Sequence, residues 1–227
     1  MISGFAQTTV RGRFITFEGG EGSGKTTQIA LLAMRLREAG HEVVATREPG
    51  GTPGANALRH IILSGTAEAL GNEMEAILFA AARLDHLQSL ILPALERGAI
   101  VLCDRFHDST RAYQGSRPGA DSDFLQVLET ATLETGRPDL TLVLDIPAEE
   151  GLQRAAGRRG ASEADRFEKE DVALHEARRR AFLDIAARET ERCVVIDARG
   201  DVSAVAAAIG DALSARLPTL LPAPVSP

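Results

Sequence analysis

Apolar and polar positions alternate along Arg13 to Glu18 (RFITFE), the period-two pattern of a strand. Downstream the period changes. Between Thr26 and Ala39 the apolar residues Ile29, Leu32, Ala33 and Leu36 recur at helical spacing, and Gly40 suits the end of that helix. Glu42 to Thr46 (EVVAT) predicts a second strand, and the glycines and prolines of Arg47 to Gly54 (REPGGTPG) predict a loop. Asn72 to Arg97 predicts a long helix bent near Pro93. Three apolar runs, Ala99 to Asp104, Leu140 to Asp145 and Cys193 to Asp197, predict further strands. Helical patterns lie at about Ser122 to Thr135, Glu149 to Arg159, Asp171 to Arg188 and Val202 to Leu217. This alternation predicts an α/β fold: a doubly wound, parallel five-stranded sheet with helices on both faces. The apolar runs are near-continuous, as strands covered on both sides require. One unit is expected over 13–216, between a loose tail at 1–12 and a Pro-rich, disordered tail at 217–227.

Composition narrows the class. A net charge of −7 argues against a nucleic-acid-binding surface. No apolar run is long enough to cross a bilayer, and the first residues lack the apolar core of a secretory signal, so a cytoplasmic location is expected. The two cysteines, Cys103 and Cys193, lie in or beside apolar runs and read as buried free thiols.

The chemistry is clearest at Gly19 to Thr26. GGEGSGKT satisfies G-x-x-x-x-G-K-[ST] between a predicted strand and a predicted helix, the context a phosphate-binding loop needs. Its glycines let backbone N–H groups face phosphate oxygens, and the helix N-terminus adds positive potential. Lys25 would neutralise the β- and γ-phosphates, and the Thr26 hydroxyl would face magnesium. Asp104 closes the third strand; it suits magnesium, directly or through water, or else caps the next turn.

A phosphate-binding loop serves kinases, GTPase switches and ATPase motors alike. No N-K-x-D base-reading motif is present, since neither Asn56 nor Asn72 precedes lysine. A kinase needs a second anion site facing the loop and cations that close over the transferring group. For the first, Arg47 ends the second strand beside Pro49, Phe79 and Arg83 share a helix face, Arg105 follows Asp104, and Ser109, Thr110, Tyr113 and Gln114 cluster just after it. Taken singly, Phe79 reads equally as core, Arg83 as a solvated charge and Tyr113 as packing. Their succession after strand ends favours a ligand site. For the second, 154–171 carries Arg154, Arg158, Arg159 and Arg166 with Gly157 and Gly160 as hinges, a candidate helical lid or a solvated loop.

FEGGEGSGKTTQ, REPGGT, LFAAAR, DRFHDSTRAYQG and RPDLTLVLD, in that order, resemble bacterial thymidylate kinase, a P-loop nucleoside monophosphate kinase. The resemblance spans Arg13 to about Leu213. It implies transfer of the γ-phosphoryl group of MgATP to dTMP, giving dTDP and ADP for dTTP synthesis, by a homodimer. ATP would be bound by Gly19, Gly20, Glu21, Gly22, Ser23, Gly24, Lys25, Thr26 and Thr27, and Mg2+ by Thr26 and Asp104. Glu18 would lie near the acceptor 3′-hydroxyl, and Arg47 and Arg105 would hold the acceptor phosphate. Phe79 would stack on thymine, Arg83 would meet a base carbonyl, and Thr110 and Gln114 would define the base edge. Tyr113 would crowd the 2′-position. Two departures stand out. The loop interior, Gly20-Glu21-Gly22-Ser23, holds no arginine, which points to a lid arginine (Arg154, Arg158 or Arg159) as the catalytic cation beside Lys25 and Arg105. Phe106 also stands where tyrosine is usual, a change expected to be tolerated. Other nucleoside monophosphate kinases, and a P-loop NTPase acting as a binding module, remain alternatives.

Overall fold

A computed structural model describes residues 11–65, 67–133, 136–159, 167 and 170–221, without the side chains of residues 68, 158 and 159. Five parallel strands, β1 (Phe14–Glu18), β2 (Val43–Arg47), β3 (Ile100–Asp104), β4 (Leu140–Asp145) and β5 (Cys193–Asp197), form one sheet in the order β2-β3-β1-β4-β5. β1 lies at the centre, and the strand order reverses around it. The crevice outside the carboxyl ends of β1, β3 and β4 is where open sheets of this kind bind ligands.

The pleat of β1 divides its side chains. Ile15 and Phe17 enter a core with Leu32 and Leu36 of α1 (Lys25–Glu38) and Ile209 and Leu213 of α9 (Val202–Arg216). Phe14 enters the opposite core with Val101, Cys103 and Phe106. Phe14 and Phe17 have no exposed surface, and each such burial contributes about 1.5–3 kcal/mol. The polar residues of the strand are buried too. Thr16 bonds Thr141 across the sheet at 2.8 Å, and Glu18, on the Phe14 side, points to the start of α5 (His107–Tyr113). The alternation that marked the strand therefore marks two covered faces, one of them partly polar.

The described chain departs from the sequence pattern in several places, among them the short helix α5, which the sequence pattern did not announce. Residues 53–63 form a helix, α2 (Pro53–Leu63), where only a loop had been expected as far as Gly54; Thr52 caps it through Ala55 N–H and Pro53 opens it, so the loop ends in an ordinary helix start. The long helix is α3 (Asn72–His86), a π-turn (Leu87–Ile91) and α4 (Leu92–Glu96). The irregularity precedes Pro93, which starts α4 harmlessly. Neither tail has its expected boundary. Gly12 donates to Leu95 O at 2.8 Å, and a side chain there would strike the Ala99 carbonyl, so residue 12 belongs to the fold. Leu220 is buried, and its carbonyl accepts from His41 Nε2 at 2.8 Å, because its side chain completes the core between α1 and α9. Residues 1–10 and 222–227 lie outside the described residues.

The remaining helices, α6 (Ser122–Leu133), α7 (Ala148–Arg159) and α8 (Val172–Arg188), follow the sequence pattern closely. Both cysteines are buried and free. No helix among the described residues is long and apolar enough to cross a membrane.

Candidate active site

Residues Gly19 to Gly24 link the carboxyl end of β1 to α1. Gly24 occupies the N-cap with φ 91°, in the left-handed region where a side chain strains the backbone. Gly22, at φ 67°, has a second reason to be glycine: a side chain there would collide with the Gly151 carbonyl of α7. The Lys25 ammonium folds inward onto Gly20 O at 2.8 Å, Gly19 O at 3.1 Å and Ser23 Oγ at 3.2 Å. Burial, with Arg105 close by, lowers it to about 8. One residue on, Thr26 Oγ1 donates to Asp104 Oδ2 at 2.7 Å. The loop and the carboxyl end of β3 thus bring together two oxygen donors expected at a metal. Thr27 is exposed on the same first turn.

Arg105 has φ 67°, the left-handed region for a residue with a side chain, a conformation that costs about 1–3 kcal/mol and persists only where neighbours enforce it. Its N–H donates to Phe17 O at 2.9 Å. Its guanidinium reaches Gly19 O at 3.0 Å, Ser109 Oγ at 3.3 Å and Glu21 Oε1 at 2.5 Å, and lies over the Tyr113 ring at 5.1 Å. Glu21 also accepts from Tyr113 Oη at 2.8 Å. Burial raises the Glu21 carboxyl, but Arg105 and Lys25 outweigh it and hold the group at about 2. The Glu21 side chain therefore faces the acceptor side of the crevice, although its backbone belongs to the phosphate loop.

Glu18 finishes β1 with no exposed surface. It accepts from Phe106 N at 2.8 Å, Ser109 N at 3.3 Å and Ser109 Oγ at 2.6 Å. Phe106 sits at the N-cap of α5 and has no side-chain acceptor to offer, so the β1 carboxylate caps the helix from across the sheet. Burial, together with Asp108, pushes Glu18 up to about 8 despite these donors. Phe106 is buried edge-on to Phe14 at 4.9 Å and beneath the Arg83 guanidinium, an environment with no need of a tyrosine hydroxyl.

A cavity of about 950 Å³ opens between the phosphate loop, β2, α3 and α5. It is lined by most of the residues expected for the acceptor: Arg47, Pro49, Phe79, Arg83, Arg105, Ser109, Thr110, Tyr113 and Gln114. Thr26, Glu21 and Asp104 reach it from the donor side. Arg83 donates through Nε to Glu48 Oε2 at 2.9 Å and through Nη2 to Thr110 Oγ1 at 2.9 Å, leaving Nη1 without a hydrogen bond among the described residues. His86 bonds Glu48 Oε1 at 3.1 Å and Thr46 at 2.8 Å. Glu48 is therefore held on both oxygens, and it in turn fixes the plane of the Arg83 fork. Arg47 is exposed at the end of β2, with no hydrogen bond or ion pair of its guanidinium among the described residues.

The three lid arginines separate. Arg154 does not line this cavity. It is tied to Ala198 O at 2.8 Å, Arg199 O at 2.9 Å and Glu150 at 2.6 Å, at the turn after β5. Its place in the body of α7 brings its guanidinium to the turn after β5. The side chains of Arg158 and Arg159, and residues 160–166, 168 and 169 of the expected lid, lie outside the described residues. Phe167 does not. It roofs the cavity, with its ring 5.6 Å from Tyr113 and 6.5 Å from Phe79. Arg178 of α8, buried, places its guanidinium 4.2 Å from the centroid of the Tyr113 ring. Sequence reasoning missed Glu48, Glu75, Phe167 and Arg178. Glu48 sits inside the REPGGT motif and could have been suspected; the others carry no local signal.

The thymidylate kinase family model matches residues 17–209. This chain belongs to the thymidylate kinase family. It is similar to thymidylate kinases of Bradyrhizobium sp. (strain ORS 278), 55% identical over 94% of each chain, and of Nitrobacter hamburgensis, 57% identical over 92% of this chain and 90% of the relative. Its fold matches the crystal structure of thymidylate kinase from Ehrlichia chaffeensis with a TM-score of 0.71 and 34% identity, over 90% of this chain and 99% of that one. The chain is an ATP-dependent nucleoside monophosphate kinase acting on dTMP. Both the P-loop fold and the activity expected from the motifs agree with the family.

Proposed function

We propose that the cavity is the dTMP site and the loop at Gly19–Thr26 the ATP site, with γ-phosphoryl transfer in line between them. The observation that carries this reading is the convergence of Arg47, Phe79, Arg83, Arg105 and Gln114 on one cavity whose far wall is Thr26 and Asp104. Phe79 offers a face for the base, Arg83 Nη1 a donor for a base carbonyl, and Arg47 and Arg105 cations for the 5′-phosphate. Tyr113 bounds the sugar, and Glu18, with no exposed surface, stands behind Ser109. Backbone N–H groups of Gly19 to Ser23, with Lys25, cradle the donor phosphates, and Thr26 and Thr27 extend the site along the first turn of α1. A phosphate oxygen is already nucleophilic, so these residues position, neutralise charge and exclude water, and none need remove a proton. With Arg154 occupied at the β5 turn, Arg158 and Arg159 are the remaining candidates for the cation that closes over the transferring group.

Thr26 Oγ1 and Asp104 Oδ2, two oxygens facing each other at the loop, fit Mg2+, which takes few protein ligands and completes its shell with phosphate oxygens and water. Bound there, Mg2+ would neutralise phosphate charge. The chain is also inferred to form a homodimer. Leu70, Met74, Ile77 and Leu84 form an exposed apolar stripe at helical spacing along and just before α3, and Val127 on α6 is 66% exposed. A cytoplasmic location, and a single kinase unit that runs from at least Gly12 to Leu220, complete the reading. Kinetics of Arg47→Ala and Phe79→Ala test the site. KM for dTMP should rise at least tenfold while KM for ATP stays within about twofold. A rise in KM for ATP alone would reverse the assignment of the two sites.

A further inference from the structure

Gln114, at the end of α5, is fully buried and lines the acceptor cavity. Its backbone is fixed at both ends: its N–H donates to Thr110 O at 3.0 Å, and its carbonyl accepts from Asn72 Nδ2 at 3.0 Å. Its side-chain Nε2 donates to Glu75 Oε1 at 2.7 Å. The opposite atom of the amide, Oε1, is buried and has no partner. Glu75 lies in the first turn of α3 with 1% of its surface exposed, and Arg117 Nη2 stands 3.6 Å from the same carboxylate oxygen.

An amide is ambiguous by itself: either end can face a given neighbour. A carboxylate is not, because it only accepts. Facing Glu75, the Gln114 amide must turn its NH2 toward the carboxylate, which leaves its carbonyl as the unmet group. We propose that Glu75 is a positioning residue that makes Gln114 present an acceptor, and never a donor, to the acceptor base. This inference rests on the reading of the cavity as the dTMP site. Thymine offers a donor, N3–H, beside the O4 carbonyl that Arg83 Nη1 would meet. Cytosine reverses both atoms, with an acceptor at N3 and a donor at N4. A fixed carbonyl at Gln114 therefore favours thymine and opposes cytosine, and specificity arises as much from the penalty on the wrong base as from the bond to the right one. Arg117 and Glu75 never touch the base in this account; they set which atom of Gln114 does.

The test compares kcat/KM for dTMP and dCMP in Glu75→Gln, which keeps the shape but pairs amide with amide, so that either end of Gln114 is satisfied. The ratio of dTMP to dCMP efficiency should fall at least tenfold, with KM for ATP unchanged. The reciprocal variant Glu75→Gln with Gln114→Glu again leaves only acceptors facing the base, and should recover the ratio to within about threefold of the wild-type value. An unchanged ratio in Glu75→Gln overturns the inference. So does a proportional loss for both nucleotides, which is what a purely structural role would give. A reciprocal variant that fails to fold or to discriminate overturns it as well. Gln114→Leu separates the two levels: if it leaves dTMP kinetics unchanged, the base-site reading has failed, whereas a large effect there with none in Glu75→Gln removes only the role of Glu75.

Discussion

The two ends of the crevice are built on different principles. The donor end is one continuous stretch, Gly19 to Thr26, whose working parts are backbone N–H groups, glycine conformations and two side chains on a helix turn. The acceptor end is gathered from β1, β2, α3, α5 and α8, and several of its polar side chains are held by carboxylates far away in sequence: the cations Arg83 and Arg105 by Glu48 and Glu21, and the amide of Gln114 by Glu75. A loop that binds by backbone tolerates variation around a fixed spacing. A site that binds by side chains needs a second layer to aim them, and here that layer is acidic and buried.

The contrast is tested most severely at Lys25. Lys25→Ala should lower kcat about 10³-fold, the scale of losing a central charge donor, while leaving the thermal midpoint within a few degrees; wild-type turnover would end the assignment of the loop. Glu48→Gln should behave in the opposite way. Removing the charge leaves Arg83 buried without its counterion, so urea denaturation should report a loss of about 3 kcal/mol, accompanied by a higher KM for dTMP. A change in activity with no loss of stability would mean that the acceptor end does not depend on its carboxylates as described.

A smaller effect follows from Lys25 at about 8. Below that pH the free enzyme carries the ammonium, and above it the charge is lost. kcat/KM for ATP should therefore fall roughly tenfold per pH unit above about 8. kcat should hold to higher pH, because bound phosphate favours the charged form. Lys25→Arg should abolish the alkaline limb in whatever activity remains; a flat wild-type profile to pH 9.5 would contradict the lowered value. The smallest effect is expected at Arg154, tied to the β5 turn. Arg154→Ala should change kcat less than about threefold, and a loss of a hundredfold would return it to the transferring phosphate.

The same contrast governs what the sequence could disclose. The donor loop was legible because its chemistry is local: spacing, glycine and a helix start are all written within eight residues. The five strands were legible from alternation in β1 and short apolar stretches in the others, and Arg47, Phe79, Arg83 and Arg105 because each lies at a strand end or shares a helix face. Helix α2 was overlooked since Thr52-Pro53, a good helix start, was submerged in a glycine-rich loop. The π-turn at Leu87–Ile91 leaves the apolar spacing nearly intact and has no residue that announces it. Glu75, Phe167 and Arg178 escaped for a deeper reason. Their contacts join residues far apart in the chain, and nothing near an isolated glutamate or arginine says which distant partner folding will bring to it.

The account's central claim is that the acceptor cavity reads the thymine nucleotide and directs the phosphoryl group to it. ADP formation from MgATP, measured with dTMP, dUMP, dCMP, dGMP, dAMP and no acceptor, tests that claim most directly. The account predicts fast turnover with dTMP, slower turnover with dUMP and near-background rates with the rest. A preference for another monophosphate, or equal ADP formation with no acceptor present, would contradict it.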